Sequence, residues 1–329
     1  MWISESQTVA GLIADCLMNG NLVLDKKDVM DVYGKHRKIE SQNLLVNKEL
    51  ADFCKLFEHE NIRFVIVKGQ TVGALYPHST SRMPGDIDVY VHPEDMEQML
   101  VILEKEWSVS ILRDELSKHA EGVVHNGVDF EIHRRLTDIY RKKGFDYWEN
   151  LYRQSFHSCK YVDINEVQVP VLEPTLNVLY VFVHMFYHLV LLGVGLRQFC
   201  DMAVILHSCK SDIRSTELAG HLYALGLYDA FCAVGHVLVD VLGMPEDDFP
   251  FAFQPKHRKY TKSILEDVLK RGNFGKYNRK YNRAGWMHSL ETGMVTLQHC
   301  FRYFPLASKE LSWVIPKQMI YSVRLKISS

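Results

Sequence analysis

The chain has 329 residues, and 38 Lys+Arg against 40 Asp+Glu give it a formal net charge of −2. Hydrophobic residues make up 47% and charged residues 24%, which excludes a disordered chain, a collagen and a pure coiled coil. The near-neutral total also argues against a protein that binds nucleic acid over its whole surface. At roughly 100–200 residues per domain, the length predicts two domains and a small appendage.

The first 60 residues predict a helical cap. Apolar spacing indicates helix from about residue 7, with a longer amphipathic run over residues 28–59. The apolar stripe of that run is predicted to contain Leu44, Leu45, Leu50, Phe53, Leu56 and Phe57. The N-terminal residues lack the basic segment and apolar core of a signal peptide, and none of the seven cysteines forms a C-x-x-C pair. We therefore expect a cytoplasmic protein with reduced thiols.

Residues 61–172 predict a small α/β core. Strands are predicted over residues 63–67, 86–91, 128–133 and one or two segments of 161–171. Helices are predicted over residues 71–76 and 93–106. Asn126-Gly127 is typical of a tight hairpin turn just before a strand.

Residues 173–329 predict a helical C-terminal domain, with breaks at residues 243–245, 249–255 and 271–275. Within it, residues 176–196 lack Asp, Glu, Lys and Arg and are long enough to cross a bilayer. His184 and His188 lie inside this stretch, which favours a buried helix and no membrane contact. The predicted fold class is α+β.

Asp86 and Asp88 are two residues apart on a predicted strand and therefore share one face. Carboxylates this close repel each other unless a cation lies between them, and Mg²⁺ prefers such oxygens. The later strand places Asp129, Glu131 and His133 on one face, so a third carboxylate joins the pair if the two strands are neighbours. By itself, an Asp-x-Asp pair is equally typical of a solvated edge strand.

Residues upstream of the aspartates suit an anion. Gly69 begins a predicted helix, where free N–H groups attract phosphate, and Lys68 adds a positive charge. Arg82 either binds phosphate or neutralises the aspartates. Gly85 is expected to let the backbone turn into the strand.

These residues form ordered blocks. The blocks are Val67-Lys68-Gly69, Leu75-Tyr76-Pro77, Arg82, Gly85-Asp86-Ile87-Asp88-Val89, Glu131-Ile132-His133 and residues 195–201 (GLRQFCD). Together they resemble the DNA polymerase beta-like nucleotidyltransferase superfamily and, more narrowly, a bacterial uncharacterised nucleotidyltransferase family. The resemblance covers residues 60–210 well. Gln70 departs from it, because Ser or a second Gly is usual there, and the spacing from Gly69 to Asp86 is longer than in the wider superfamily.

The resemblance implies a nucleotidyltransferase core at residues 61–172, between a cap at 1–60 and a helical domain at 173–329. It implies metal-dependent transfer of a nucleoside monophosphate from an NTP to an acceptor hydroxyl, with release of pyrophosphate. The implied catalytic and metal-binding residues are Asp86, Asp88 and Glu131, with Mg²⁺ or Mn²⁺ as the ion. The implied nucleotide-binding residues are Lys68, Gly69, Arg82 and Gly85. Glu131 is favoured over Asp129 because it stands two residues before the histidine.

Secondary candidates include four histidines. His184 and His188 have the i, i+4 spacing of a zinc pair, but a zinc site needs a third ligand, so buried histidines are favoured. His133 and His119 are predicted to line the site, with loop surface as the alternative for His119.

Arg197 and Asp201 are also i, i+4 neighbours. They are interpreted either as an ion pair or as a phosphate or acceptor contact made by Arg197.

The acceptor stays open between a small molecule, a protein and RNA. Alternative functions are RNA- or protein-directed transfer of a toxin-like kind, or a nucleotide-binding regulator without catalysis. Residues 256–283 hold ten Lys+Arg and two acids, interleaved with tyrosines. This basic segment is interpreted as a solvated helical face or as a seat for RNA.

Overall fold

The computed structural model describes residues 2–20, 25–113, 117–137, 139–275 and 286–327. Three helices open the chain: α1 Trp2–Ser6, α2 Ala10–Asn19 and α3 Lys26–Leu56. Asp25 caps α3, because its side chain accepts a hydrogen bond from the N–H of Asp28.

The predicted apolar stripe of α3 is wrong at two positions. Leu44 and Leu45 are 54% and 40% exposed. The buried face of α3 includes Ile39, Asn43, Val46, Leu50 and Phe53. These residues recur every three or four positions, as the helical period requires, whereas Leu44 and Leu45 fall on the other side of the helix.

The sheet has seven strands, and its mixed α+β class is as predicted. The strands are β1 Phe64–Val67, β2 Ile87–Val91, β3 His119–Ala120, β4 Val124–His125, β5 Val128–His133, β6 Lys160–Ile164 and β7 Val167–Val171. Their order is β3-β5-β2-β1-β7-β6, with β4 paired to β5. The β2–β5 and β1–β7 pairs are parallel, and the others are antiparallel.

The predicted hairpin turn is confirmed between β4 and β5. Asn126 has φ 48° and Gly127 has φ 79°, so both lie in the left-handed region that a two-residue hairpin favours. β5, which follows this turn, pairs with β2, and the candidate carboxylates lie on these two strands or at their ends.

Three helices accompany the strands: α4 Gly69–Gly73, α5 Met96–Trp107 and α6 Lys142–Gln154. No helix was predicted at α6, because most of its residues are polar. Its inward face is a narrow row formed by Gly144, Trp148 and Tyr152.

The described residues from Pro174 onward are mainly helical, as predicted. Its helices are α7 Pro174–Tyr187, α8 Leu196–Ser208, α9 Ser215–Leu225, α10 Tyr228–Asp240, α11 Pro255–Arg258, α12 Thr261–Arg271, α13 Trp286–Tyr303 and α14 Ser308–Ile327. Glu173 caps α7 by accepting from the N–H groups of Thr175 and Leu176. A π-helical turn, His188–Leu192, follows α7, and such turns are frequent at functional sites.

One helical stretch in the described part of the chain, Pro174–Leu192, is long and apolar enough to cross a membrane. However, 72% of its apolar window is buried inside the molecule. This burial is typical of the central helix of a folded core, which is the interpretation that the sequence favoured.

The two faces of the sheet pack against different helices. Ile66, Ile87 and Val89 join a core that includes residues of α3 and α5. Val67 and Tyr90 join the core formed by α7 and the later helices. Because side chains alternate along a strand, Asp88 shares the second face with Tyr90 and points toward the helical half.

Candidate active site

Three carboxylates meet where β2 and β5 lie side by side. The strands run parallel with Asp88 opposite Glu131, so the two strands are neighbours as the triad requires. One ligand oxygen from each of Asp86, Asp88 and Glu131 lies within 4.8 Å of the others. Asp129 lies outside this cluster and is exposed.

Asp88 is the buried member of the cluster, with 2% of its surface exposed. Its Oδ1 lies 3.0 Å from Lys68 Nζ and 2.9 Å from His133 Nε2. Burial alone would raise the pKa of Asp88, but Lys68 and His133 outweigh it and hold that pKa below its usual range. Asp88 is therefore ionised at neutral pH.

His133 joins two of the carboxylates. Its Nε2 also lies 3.1 Å from Glu131 Oε2, and the side chain is 3% exposed. Burial opposes its protonation, yet the hydrogen bonds to Asp88 and Glu131 raise its pKa. The same hydrogen bond is the main cause of a lowered pKa for Glu131. His133 thus orients Asp88 and Glu131 through its contacts and favours their ionised forms.

Asp86 behaves in the opposite way. It keeps an exposed edge, but the surrounding protein desolvates its carboxyl group, and Asp88 repels its negative charge. Together these effects raise the pKa of Asp86 to about 6. Asp86 is therefore the member of the cluster whose negative charge is least favourable.

Lys68 occupies an unusual backbone conformation at the end of β1. Its φ of 57° and ψ of −149° are rare for a residue with a side chain. Its ammonium group lies 3.5 Å from His184 Nε2 and 5.8 Å from the centre of the Tyr180 ring. Burial opposes the charge, but Asp88 raises the pKa of Lys68, so the side chain stays protonated.

A cavity of about 200 Å³ opens beside the cluster, and we call it the inner cavity. It is lined by Lys68, Gly69, Arg82, Gly85, Asp86, Asp88, Lys118, His119, Glu131, His184, His188, Arg197 and Asp201, among others. Every predicted site residue except Asp129 and His133 therefore lines one cavity.

The predicted Arg197–Asp201 ion pair is wrong, because Asp201 binds Arg82 instead. Arg82 donates from Nε and Nη2 to the two oxygens of Asp201, each at 2.8 Å. Both side chains are buried, at 5% and 8% exposure. The Tyr76 hydroxyl also donates to Asp201, at 2.8 Å. Most of the Arg82 guanidinium is thus engaged within the protein rather than directed at a phosphate.

Arg197 is the guanidinium that faces the cavity. Its Nη1 donates to the Met83 carbonyl at 2.9 Å, and its buried Nε has no hydrogen-bond partner in the described part of the chain. Burial and the nearby Arg82 lower the pKa of Arg197 to about 10, so it remains charged at neutral pH.

The N-terminal segment holds Arg197 in place. Gln7 is completely buried, and its Oε1 accepts from the N–H of Leu196 at 3.2 Å. Its carbonyl accepts from the N–H of Arg197, and its Nε2 donates to the Val268 carbonyl at 3.1 Å. Gln7 therefore ties the start of α8 to α12.

Gly69 begins a helix, as expected, but α4 is too short to give it a strong dipole. This helix is a single turn of five residues, so its dipole is small. Gly69 nevertheless needs its φ of +51°, and a Cβ there would lie 3.4 Å from the Asp86 carbonyl.

Gly85 and Gln70 differ from expectation. Gly85 is not among the positive-φ residues, and a Cβ there would lie 3.9 Å from Arg197 Nη1.

The amide of Gln70 donates to Asn43 at 3.1 Å and also to Asn47, so it anchors α4 to α3. This contact accounts for an amide at a position where the wider family has a small residue.

His184 and His188 are half-buried near Lys68 and are not grouped as zinc ligands. Neither belongs to a cluster of three metal-ligating side chains in the described ranges. Burial, followed by the charge of Lys68, lowers the pKa of both histidines, to about 4 for His188. They are therefore neutral at pH 7. Burial also lowers the pKa of His119. This residue lies with Glu131 and His133 in a second group of side chains that could hold a metal ion.

Three residues of the site were not predicted. Lys118 and Gln198 line the inner cavity, and Gln7 supports it. Lys118 stands next to a predicted site residue, His119, which was its only signal in the sequence. Gln7 lacks such a signal, since its partners are 189 and 261 residues away.

The chain has little similarity to curated proteins and solved structures. No curated protein matches the sequence. Among solved structures, an antigenic nucleotidyltransferase-like protein from Paracoccidioides brasiliensis is similar at 13% identity over 67% of this chain and 92% of that chain. Its TM-score is 0.39, which is too low to support a statement about mechanism.

A family model gives the decisive comparison. The model described as "Uncharacterised nucleotidyltransferase" matches residues 1–243, which is most of the chain. The match spans the three carboxylates, Lys68, Arg82 and Arg197. The chain therefore belongs to the uncharacterised nucleotidyltransferase family.

Proposed function

We propose that the protein is a metal-dependent enzyme that transfers a nucleoside monophosphate from an NTP to an acceptor hydroxyl. The observation that carries this proposal is the grouping of Asp86, Asp88 and Glu131 within 4.8 Å at the wall of a cavity that also contains Lys68 and Arg197. Family membership supports the same reaction class.

The carboxylate cluster fits a divalent cation. Its donors are carboxylate oxygens, which suit Mg²⁺ or Mn²⁺. The raised pKa of Asp86 reflects burial and then repulsion by Asp88, and a cation would relieve that repulsion. Asp86, Asp88 and Glu131 would hold the ion. When bound, such an ion neutralises phosphate charge and polarises the reacting phosphoryl group.

The charges of the inner cavity also favour a cation. Arg82 is neutralised by Asp201, and Lys68 is neutralised by Asp88. That leaves two positive groups, Lys118 and Arg197, against Asp86 and Glu131. The cavity then has no positive excess for a triphosphate until a divalent cation is added.

In the proposed reaction, Arg197 and Lys118 bind the phosphates and hold the α-phosphorus near the carboxylates. The acceptor oxygen forms a bond to the α-phosphorus, and the bond from that phosphorus to the bridging oxygen of the leaving pyrophosphate breaks. The hydroxyl proton passes to Glu131, which His133 keeps ionised. Catalysis then rests mainly on positioning and charge stabilisation.

A catalytic role is favoured over a purely regulatory one, because all three carboxylates are present and grouped. RNA is a weaker choice of acceptor than the basic segment 256–283 suggested. Lys256 pairs with Asp229, Arg258 with Asp240, and Lys270 with Glu266. Residues 276–283 of that basic segment lie outside the described residues.

The proposal is tested with the four NTPs, labelled at the α-phosphate, in Mg²⁺ and in EDTA. We expect at least one NTP with Mg²⁺ to raise the melting temperature and to release pyrophosphate in the presence of a cell metabolite extract. The double variant Asp86→Asn, Asp88→Asn should lose both effects, whereas Asp146→Asn on the surface of α6 should keep them. If no NTP stabilises or labels anything, the proposed function is wrong.

Metal binding is expected to depend on pH through Asp86. Because the pKa of Asp86 is about 6, protons compete with the cation below that pH. The rise in melting temperature caused by Mg²⁺ should be large at pH 7.5 and small at pH 5, with a midpoint near 6. Calorimetric titration of Mg²⁺ at the same pH values checks this, and a pH-independent affinity would contradict it.

A further inference from the structure

A second cavity adjoins the inner cavity across the candidate carboxylates. It has a volume of about 490 Å³, and we call it the outer cavity. Gly85, Asp86, His119, Glu131 and Arg197 line both cavities, so these residues form a shared wall. A ligand in the outer cavity would therefore reach the same carboxylates as a nucleotide in the inner one.

The two cavities carry different charges. Lys68 and Lys118 line the inner cavity alone, whereas Glu121 and Asp129 line the outer cavity alone. Both Glu121 and Asp129 are exposed, and within the described ranges neither forms an ion pair. Among described residues, the outer cavity thus holds four carboxylates against one arginine, with His119 kept neutral by burial.

This separation decides which ligand enters which cavity. An NTP is highly anionic, and the carboxylates of Glu121 and Asp129 repel it. Arg197 lines both cavities at the shared wall, where its guanidinium is placed to bind a phosphate on the lysine side. The phosphates therefore belong on the lysine side of the wall, and the outer cavity is left for the acceptor.

We propose that the outer cavity binds the acceptor, and that the acceptor is a cationic, hydroxyl-rich small molecule of the amino-sugar class. The proposal rests on the proposed function for the requirement of a hydroxyl. The positive charge is required by Glu121 and Asp129. Thr8 and Asn273 add polar side chains to the lining, and the volume lies in the range of small-molecule sites. RNA is disfavoured, because its phosphodiesters would face the same carboxylates.

The test uses three sugars that share a ring but differ in charge: D-glucosamine, D-glucose and D-glucuronate. Binding of each sugar is measured by calorimetry, and pyrophosphate release is measured with Mg²⁺ and the NTP that stabilises the protein most. We expect glucosamine to bind and react at least about tenfold better than glucose, and glucuronate to be the poorest of the three.

Two variants locate the effect. Glu121→Gln and Asp129→Asn should each reduce the preference for glucosamine over glucose by about fivefold, while Asp146→Asn leaves it unchanged. Neither variant should weaken the stabilisation by NTP and Mg²⁺ in the absence of sugar, because both remove a charge that repels the nucleotide. Equal or reversed binding of the three sugars, or variants that change all three alike, would overturn the proposal.

The outcomes separate the two proposals. If no NTP stabilises the wild-type protein, the proposed function is refuted. The binding order of the three sugars is still measured without nucleotide, so the acceptor class is tested separately. A protein that uses its NTP but prefers glucuronate, glucose or RNA retains the proposed function and refutes the acceptor class.

Discussion

Replacing Asp86 with Asn is expected to reduce pyrophosphate release on the order of 10³-fold and to raise the melting temperature of the metal-free protein. Both effects follow from removing the negative charge of Asp86. Asp86 contributes charge to a cluster in which Asp88 and Glu131 already repel it, and its pKa is raised to about 6. A group with a raised pKa favours the folded state when protonated, and this contribution is lost as pH rises from about 4 to about 6.

The neutral amide of Asn removes this repulsion at pH 7 but also removes a cation ligand. Thermal unfolding in EDTA and in Mg²⁺ measures both changes. In EDTA the variant should unfold at a higher temperature than wild type, and in Mg²⁺ wild type should gain stability that the variant does not gain. Asp146→Asn serves as the control, because its carboxylate is on the surface of α6 and lines neither the inner nor the outer cavity. A variant that loses activity and stability together would indicate a structural role instead.

Replacing Asp201 with Ala is expected to destabilise the protein by about 3–5 kcal/mol, the usual cost of leaving one partner of a buried ion pair alone. Arg82 would lose both charge-assisted hydrogen bonds, and Tyr76 would lose the acceptor for its hydroxyl. Urea unfolding followed by circular dichroism measures the change. A cost under about 1 kcal/mol would mean that water reaches Arg82.

A double variant separates the charge from the packing. Arg82→Met with Asp201→Leu removes both charges and keeps apolar volume, so it should be less destabilised than Asp201→Ala. Arg197→Lys provides a comparison, because Arg197 forms no ion pair among the described residues and its change should lower NTP affinity more than stability. If the double variant is the least stable of the set, packing rather than charge dominates this site.

The centre of the site was predictable because it depends on local pattern. Alternation along β2 and β5 placed Asp86, Asp88 and Glu131 on one face, and the Asn126-Gly127 turn predicted the start of β5. The family resemblance supplied the reason to join the two strands.

The partners of the arginines were not predictable from spacing. The i, i+4 spacing made an Arg197–Asp201 ion pair one of two interpretations, but helix neighbours compete with groups brought in by the fold. Arg82 approaches Asp201 from a loop 119 residues earlier and takes both of its oxygens. The α3 stripe failed at Leu44 and Leu45 for a related reason, since apolar composition does not by itself define which side of a long helix is covered.

The Gln7 contacts also constrain the order in which this protein is made and folded. Gln7 leaves the ribosome well before its partners Leu196 and Val268, which are synthesised 189 and 261 residues later. Such contacts have a high sequence separation, and they form late because a long loop must first close. A nascent chain that has completed β5 already contains all three carboxylates, yet it lacks the support that fixes Arg197. The Arg197 side of the inner cavity is therefore completed only when translation has passed α12, so truncated products would carry the acidic cluster without that side of the cavity.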